Sequence, residues 1–160
     1  MLIAVENALQ AKEVHSAVNC ELLAIDVLLR NKSDLRIITV YHSTTHDIAA
    51  LNRITALLEE LNKSVSRYII IGDFNLPDFD WNNPSLNTIE PYSSFQLFVD
   101  KSQPIFQVID FPTRKTKILD ILLTNAPDLI CKLKEEQGRS QDFVIGGAKR
   151  KFGGASLKNF

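Results

Sequence analysis

The residues best suited to chemistry lie in Ile69-Ile70-Ile71-Gly72-Asp73-Phe74-Asn75-Leu76-Pro77-Asp78-Phe79-Asp80-Trp81, where a hydrophobic run ends in carboxylates, an amide and aromatic rings. An Asp and an Asn two positions apart on an extended segment point to the same side, so Asp73 and Asn75 are placed to face one phosphate or one metal-bound water. Gly72 permits close backbone approach beside them. A second account needs no ligand: Asp and Asn after a strand commonly shape turns with their own side chains. Both accounts stay open on these residues alone. A calcium loop also begins Asp-x-Asn, but Pro77, Asp78 and Pro84 fall where that loop needs a ligand, a glycine and a bidentate glutamate. Zinc is not indicated either, because Cys20 and Cys131 stand far apart without a C-x-x-C pair or a His at ligand spacing.

The elements that must position this segment alternate between short apolar runs and one long amphipathic stretch. Leu2 to Val5, Glu21 to Leu29 and Leu35 to Tyr41 are β-rich runs, and the polar turn formers from Arg30 to Asp34 suit a hairpin between the last two, with antiparallel pairing. From His46 to Asn62, the residues Ile48, Leu51, Ile54, Leu58 and Leu61 repeat at helical spacing, and Thr44-x-x-Asp47 offers a capping-box-like start. Arg67 to Ile71 is a short continuous apolar run ending at Gly72, as expected for a buried strand that delivers a loop at its carboxyl end. Pro91 to Asp100 reads as a second helix with Pro91 early in it. Ile105 to Ile109 and Ile118 to Thr124 are two further strands. The predicted class is mixed α/β, of the α+β kind.

Five of the six glycines follow Gln137, and all six prolines lie between Pro77 and Pro127. The division is therefore a body over 1–134 and a Gly-rich, basic, flexible tail over 135–160, which includes Lys149-Arg150-Lys151. Hydrophobic residues make up 45% and charged ones 23%, which excludes a disordered chain. Net charge is -1, so no overall positive field announces a nucleic-acid partner, although a nuclease needs only a local basic rim. Glu6 interrupts the first apolar run too early for a signal peptide or a membrane span, and an intracellular protein is expected.

Gly72-Asp73-Phe74-Asn75 with its extension to Trp81 closely resembles the G-D-F-N motif of the endonuclease/exonuclease/phosphatase superfamily, and the longer string is similar to the apurinic-type endonucleases of LINE-type, non-LTR retrotransposons. Pro112-Thr113-Arg114 with Ile118 to Asn125 resembles their later motif, and Ile38-Thr39-Val40-Tyr41 is similar to the strand that ends there in Tyr-Arg-Pro-Pro. The resemblance covers Leu2 to Leu133. It implies a partial DNase I-like four-layer sandwich, two mixed sheets flanked by helices and lacking outer strands, and a Mg2+-dependent phosphodiesterase that nicks DNA in the nucleus, associated with a reverse transcriptase. By this resemblance Asp73 orients or deprotonates the attacking water and is a weak metal ligand, Asn75 holds the scissile phosphate, and Tyr41 donates a hydrogen bond beside it. Asp120 orients a histidine, and Thr113 and Arg114 line the DNA-facing surface.

Each residue also has an ordinary reading. Tyr41 closes an edge strand; Thr113-Arg114 with Lys115 and Lys117 is a solvated basic loop; and Trp81 with Phe79 is packing. Asp120 is a turn or ladder acid, against which stands the cost of an unpaired carboxylate between Leu119 and Ile121. The sequence departs from the family pattern in lacking the early metal-binding Glu and the closing Ser-Asp-His, of which Ser140-Gln141-Asp142-Phe143 is a degenerate echo. His42-Ser43-Thr44 stands in place of Arg-Pro-Pro. The expectation is a fragment truncated at both ends that does not cut DNA, since catalytic groups acting as a unit lose most of their effect when one is removed. Two alternatives are a phosphatase or phosphoinositide phosphoesterase of the same superfamily, and a non-catalytic remnant that binds or self-associates through exposed sheet edges.

Overall fold

The computed structural model describes residues 3, 10–16, 21–29, 34–43, 47–83, 86–87, 91–102, 104–134, 142–145 and 156–157. Six strands form one mixed sheet: β1 (Gln10–Ser16), β2 (Leu22–Leu28), β3 (Asp34–Tyr41), β4 (Tyr68–Asp73), β5 (Phe106–Gln107) and β6 (Asp120–Thr124), in the order β1-β2-β3-β4-β6-β5. The pair β2 and β3 is antiparallel, as the polar turn between them leads one to expect. β3 and β4 run parallel, joined by a crossover through helix α1 (Ile48–Asn62), and β6 lies antiparallel against the other side of β4. A second helix, α2 (Ser93–Lys101), follows the aspartate-rich loop.

Strand alternation divides the apolar residues between two faces. On one, Ala24, Ile38, Val40, Ile70, Ile121 and Leu123 pack against Leu51, Ile54 and Leu58 of α1 and Phe95 and Phe98 of α2. On the other, Ile25, Val27, Leu35, Ile37, Ile69 and Leu122 form a second cluster with Ile109, Ala126 and Leu129. Burial on both faces explains why β4 begins as an unbroken apolar run rather than an alternating one. Phe79 belongs to the helix-side core, with its ring centroid 4.5 Å from Trp81 and 5.4 Å from Phe95, so this aromatic pair packs, as its ordinary reading has it.

The class is α+β, as predicted, with boundaries that differ in physical detail. α1 starts at Ile48, two residues later than the periodicity suggests, because Asp47 itself caps the helix: its side chain accepts from the Ala50 N–H at 2.8 Å. Thr44 lies outside the described residues. β5 is only two residues long: beyond it the Gln107 side-chain oxygen takes the Leu122 N–H at 3.0 Å, while the Val108 N–H is shared between that oxygen and the Leu122 carbonyl. β1 was not signalled by the sequence; Gln-Ala-Lys-Glu-Val-His-Ser has little apolar alternation, and its strand is largely exposed at the sheet edge. The predicted strand Leu2 to Val5 lies outside the described residues except for Ile3, which packs on the second cluster. A three-stranded sheet, β7 (Ile130–Lys134), β8 (Asp142–Ile145) and β9 (Ser156–Leu157), is formed by the chain's last part. The face-to-face pairing of two sheets in four layers is not seen among the described residues.

Candidate active site

The register of three neighbouring strands brings the candidate groups to one place. Tyr41 of β3 is the ladder partner of Asp73 of β4, and Asp73 is the ladder partner of Asp120 of β6. Ladder partners share a face, and Tyr41, Asp73 and Asp120 continue the row of Ile37, Ile69 and Leu122, on the side away from the two helices. The three residues stand side by side where the hydrophobic strands run out, although they are separated by tens of residues along the chain.

The loop after Asp73 corrects the extended geometry expected for Asn75. The chain leaves the strand at Phe74, and Asn75 adopts a left-handed backbone with φ of 52°. The Asn75 N–H donates to the Asp73 carboxylate at 3.1 Å, so Asp73 does shape a bend. That bend carries the Asn75 side chain back toward the site's other edge, where its Nδ2 donates to the Ser43 carbonyl just beyond β3 at 3.3 Å. The turn account and the shared-pocket account are therefore compatible. Gly72 is needed for packing: a Cβ there would sit 1.8 Å from the Val40 carbonyl oxygen of β3.

Burial is the leading cause that pushes the Asp73 carboxyl above the usual carboxylate range, and the neighbouring Asp120 adds to it. The Asn75 N–H, Arg114 and His42 act in the opposite sense. Arg114 lies on an exposed hairpin in which its backbone bridges Lys117. Thr113 is half-buried at its base, and its Oγ1 accepts from the backbone N–H groups of Leu119 at 2.9 Å and Asp120 at 3.0 Å. The hydroxyl thus anchors the start of β6, a role that the sequence did not suggest for a surface-lining residue. Lys117 bonds to Asp78 at 2.9 Å.

His42, directly after β3, was missed by the sequence reading apart from its place in the departure from Tyr-Arg-Pro-Pro. It is only 2% exposed, and its ring nitrogens lie 2.9 Å from the Phe74 carbonyl and 3.1 Å from the Asp47 carbonyl. The described histidines, His15 and His42, do not supply the imidazole expected beside Asp120: His15 lies on β1, and the His42 ring is engaged by those two carbonyls. A cleft of about 520 Å³ lies beyond the hairpin, lined by residues that include Asp78, Asp80, Trp81, Gln107 and Lys117, and none of the six candidate residues lines it.

No curated protein matches the sequence. A crystal structure of an endonuclease/exonuclease/phosphatase family protein from Bacteroides thetaiotaomicron is similar at a TM-score of 0.40 and 12% identity, over 64% of this chain and 39% of that one, so the chain spans well under half of that protein. The family described as endonuclease-reverse transcriptase matches residues 35–142, a stretch that contains all of β3 but its first residue, β4, β6 and every candidate residue. By that match, which takes in most of the sequence, the chain belongs to the endonuclease-reverse transcriptase family of the endonuclease/exonuclease/phosphatase superfamily.

Proposed function

We propose that this chain carries the phosphate-facing part of a magnesium-dependent DNA endonuclease site, and that it does not nick DNA by itself. The observation that carries the reading is the Tyr41, Asp73 and Asp120 ladder, closed at one end by Asn75. A phosphodiester in that position would meet a phenol donor from Tyr41, an amide donor from Asn75 and a carboxylate, Asp73, whose raised proton affinity suits it to orient or deprotonate water. Among the described residues no cluster of three or more His, Cys, Asp or Glu is arranged for a metal, and the acids that those residues offer a cation at this place are Asp73 and its neighbour Asp120. Magnesium fits such a pair, since it keeps several waters and takes one or two carboxylates, and two adjacent acids gain from a cation between them. When bound, it would stabilise charge at the phosphoryl and leaving oxygens. Arg114 is the candidate backbone contact to DNA. The proposed lack of turnover rests on the absence, among the described residues, of an imidazole paired with Asp120.

Purified protein incubated with supercoiled plasmid and Mg2+, beside an Asp73→Ala control, tests the reading; no nicking above the control is expected. A short duplex should nevertheless bind in a Mg2+-dependent way, and Asp73→Ala should weaken that binding. Robust Asp73-dependent nicking would overturn the proposed inactivity. Phosphate release from a phosphoinositide without duplex binding would select the phosphoesterase alternative, and tight partner or self-association with neither property would select the non-catalytic one.

A further inference from the structure

The cleft of about 520 Å³ beyond the hairpin has two walls that come from different elements. One is the Pro77 to Asn82 loop after β4, and the other is β5 with the hairpin that leads into β6. Its lining is acidic: Asp78, Asp80 and Asp110 stand against Lys117 alone, which is paired with Asp78 at 2.9 Å from one wall to the other. The loop wall is held from behind. Buried Asn87 bonds both the backbone N–H and the carbonyl of Asp80 at 2.9 Å, and it donates to Gln96 of α2 at 3.1 Å. Each wall also carries a donor that lacks an acceptor. Trp81 Nε1 and Gln107 Nε2 are both buried, and neither has a partner among the described residues. The Gln107 amide has a fixed orientation, because its oxygen already accepts from the Val108 and Leu122 N–H groups, so its nitrogen is the end left unsatisfied.

We propose that this cleft is a docking site for an extended, basic segment of a partner polypeptide. Charge complementarity selects the sign: three carboxylates disfavour a phosphate backbone and favour a guanidinium or an ammonium. The exposed pair of Lys117 and Asp78 contributes little by itself, so an incoming cation takes the place of Lys117 at small cost. The unpaired donors select a polypeptide over a bare polycation. A buried donor without an acceptor is costly, and a strand-like segment offers carbonyl oxygens toward both walls while its side chains reach the acids. The half-buried Trp81 adds a ring on which an arginine can stack. The inference goes beyond the proposed phosphate site and does not rest on it.

The test titrates the whole, isotope-labelled chain with the peptide acetyl-Ala-Arg-Ala-Arg-Ala-amide at low salt and follows nitrogen–proton correlation spectra. Trp81 is the chain's one tryptophan, so its indole N–H gives a single resonance that reports the loop wall directly. That resonance and the Gln107 side-chain amide should move together on one binding curve, and binding should weaken as salt rises. Asp110→Asn should weaken the peptide about three-fold and leave Mg2+-dependent duplex binding undiminished. Trp81→Phe keeps an aromatic ring and removes the donor, and calorimetry should show peptide binding weakened about five-fold. Spermine, which has the charge and no acceptor, should leave the Gln107 amide in place, as should acetyl-Ala-Glu-Ala-Glu-Ala-amide. No movement of the two resonances at millimolar peptide, an equal response to spermine, or displacement of the peptide by a short duplex would each overturn the proposal. The unmodified chain decides even where a variant fails to fold.

Discussion

At the scale of single residues, the site combines groups that stabilise the fold with one that opposes it. Asp73 binds its proton more tightly when folded, because burial and then Asp120 disfavour its charge. The sign follows: stability falls as pH rises from the ordinary carboxylate value through the higher folded value, and the penalty persists above it. Asp73→Asn keeps an acceptor for the Asn75 N–H and removes the charge, so it should raise the melting temperature at neutral pH. The gain should shrink as pH is lowered through that window, a result that thermal melts at several pH values would check. Thr113 is the opposite case. Thr113→Val leaves the Leu119 and Asp120 N–H groups without their acceptor and should cost about 2 kcal/mol in denaturant unfolding, whereas Thr113→Ser should cost far less.

At the scale of elements, the contact between β3 and β4 decides whether the candidate groups meet. Gly72→Ala would drive a methyl group into the Val40 backbone, and it should cost on the order of 3 kcal/mol or prevent folding, measured by chemical denaturation. Arg36, at the other end of β3, ties that strand to β2 and to the end of α1. It is buried, bonds Asp26 through two nitrogens at 2.7 and 2.8 Å, and reaches the Leu61 carbonyl and Ser64 beyond α1. Arg36→Met should destabilise by about 2–3 kcal/mol, and adding Asp26→Asn should recover part of that loss, since it removes the carboxylate left without its partner. Elements with a strong period or an unbroken apolar run, α1 and β4, were legible in the sequence, as was the hairpin of β2 and β3. The edge strand β1 was not, because a strand with little burial leaves little apolar pattern. The motif letters located Asp73 and Asn75, but nothing local to the sequence announces the left-handed Asn75 backbone or the two carbonyls that engage His42. Those depend on neighbours from elsewhere in the chain.

At the scale of the whole molecule, a net charge of -1 leaves any attraction for DNA to a few local cations. Lys117 is already paired with Asp78, which makes exposed Arg114 the contact to test. Arg114→Ala should weaken duplex binding about equally across sequences and reduce the slope of log affinity against log salt by about 1. The order of the strands has a consequence for synthesis as well. β6 completes the row of Tyr41, Asp73 and Asp120 from the far side of β4, so the two acids cannot meet in a nascent chain until the ribosome has released residues well past Asp120. A premature stop before β6 would leave Tyr41 beside Asp73 without the second acid that β6 brings across the strand.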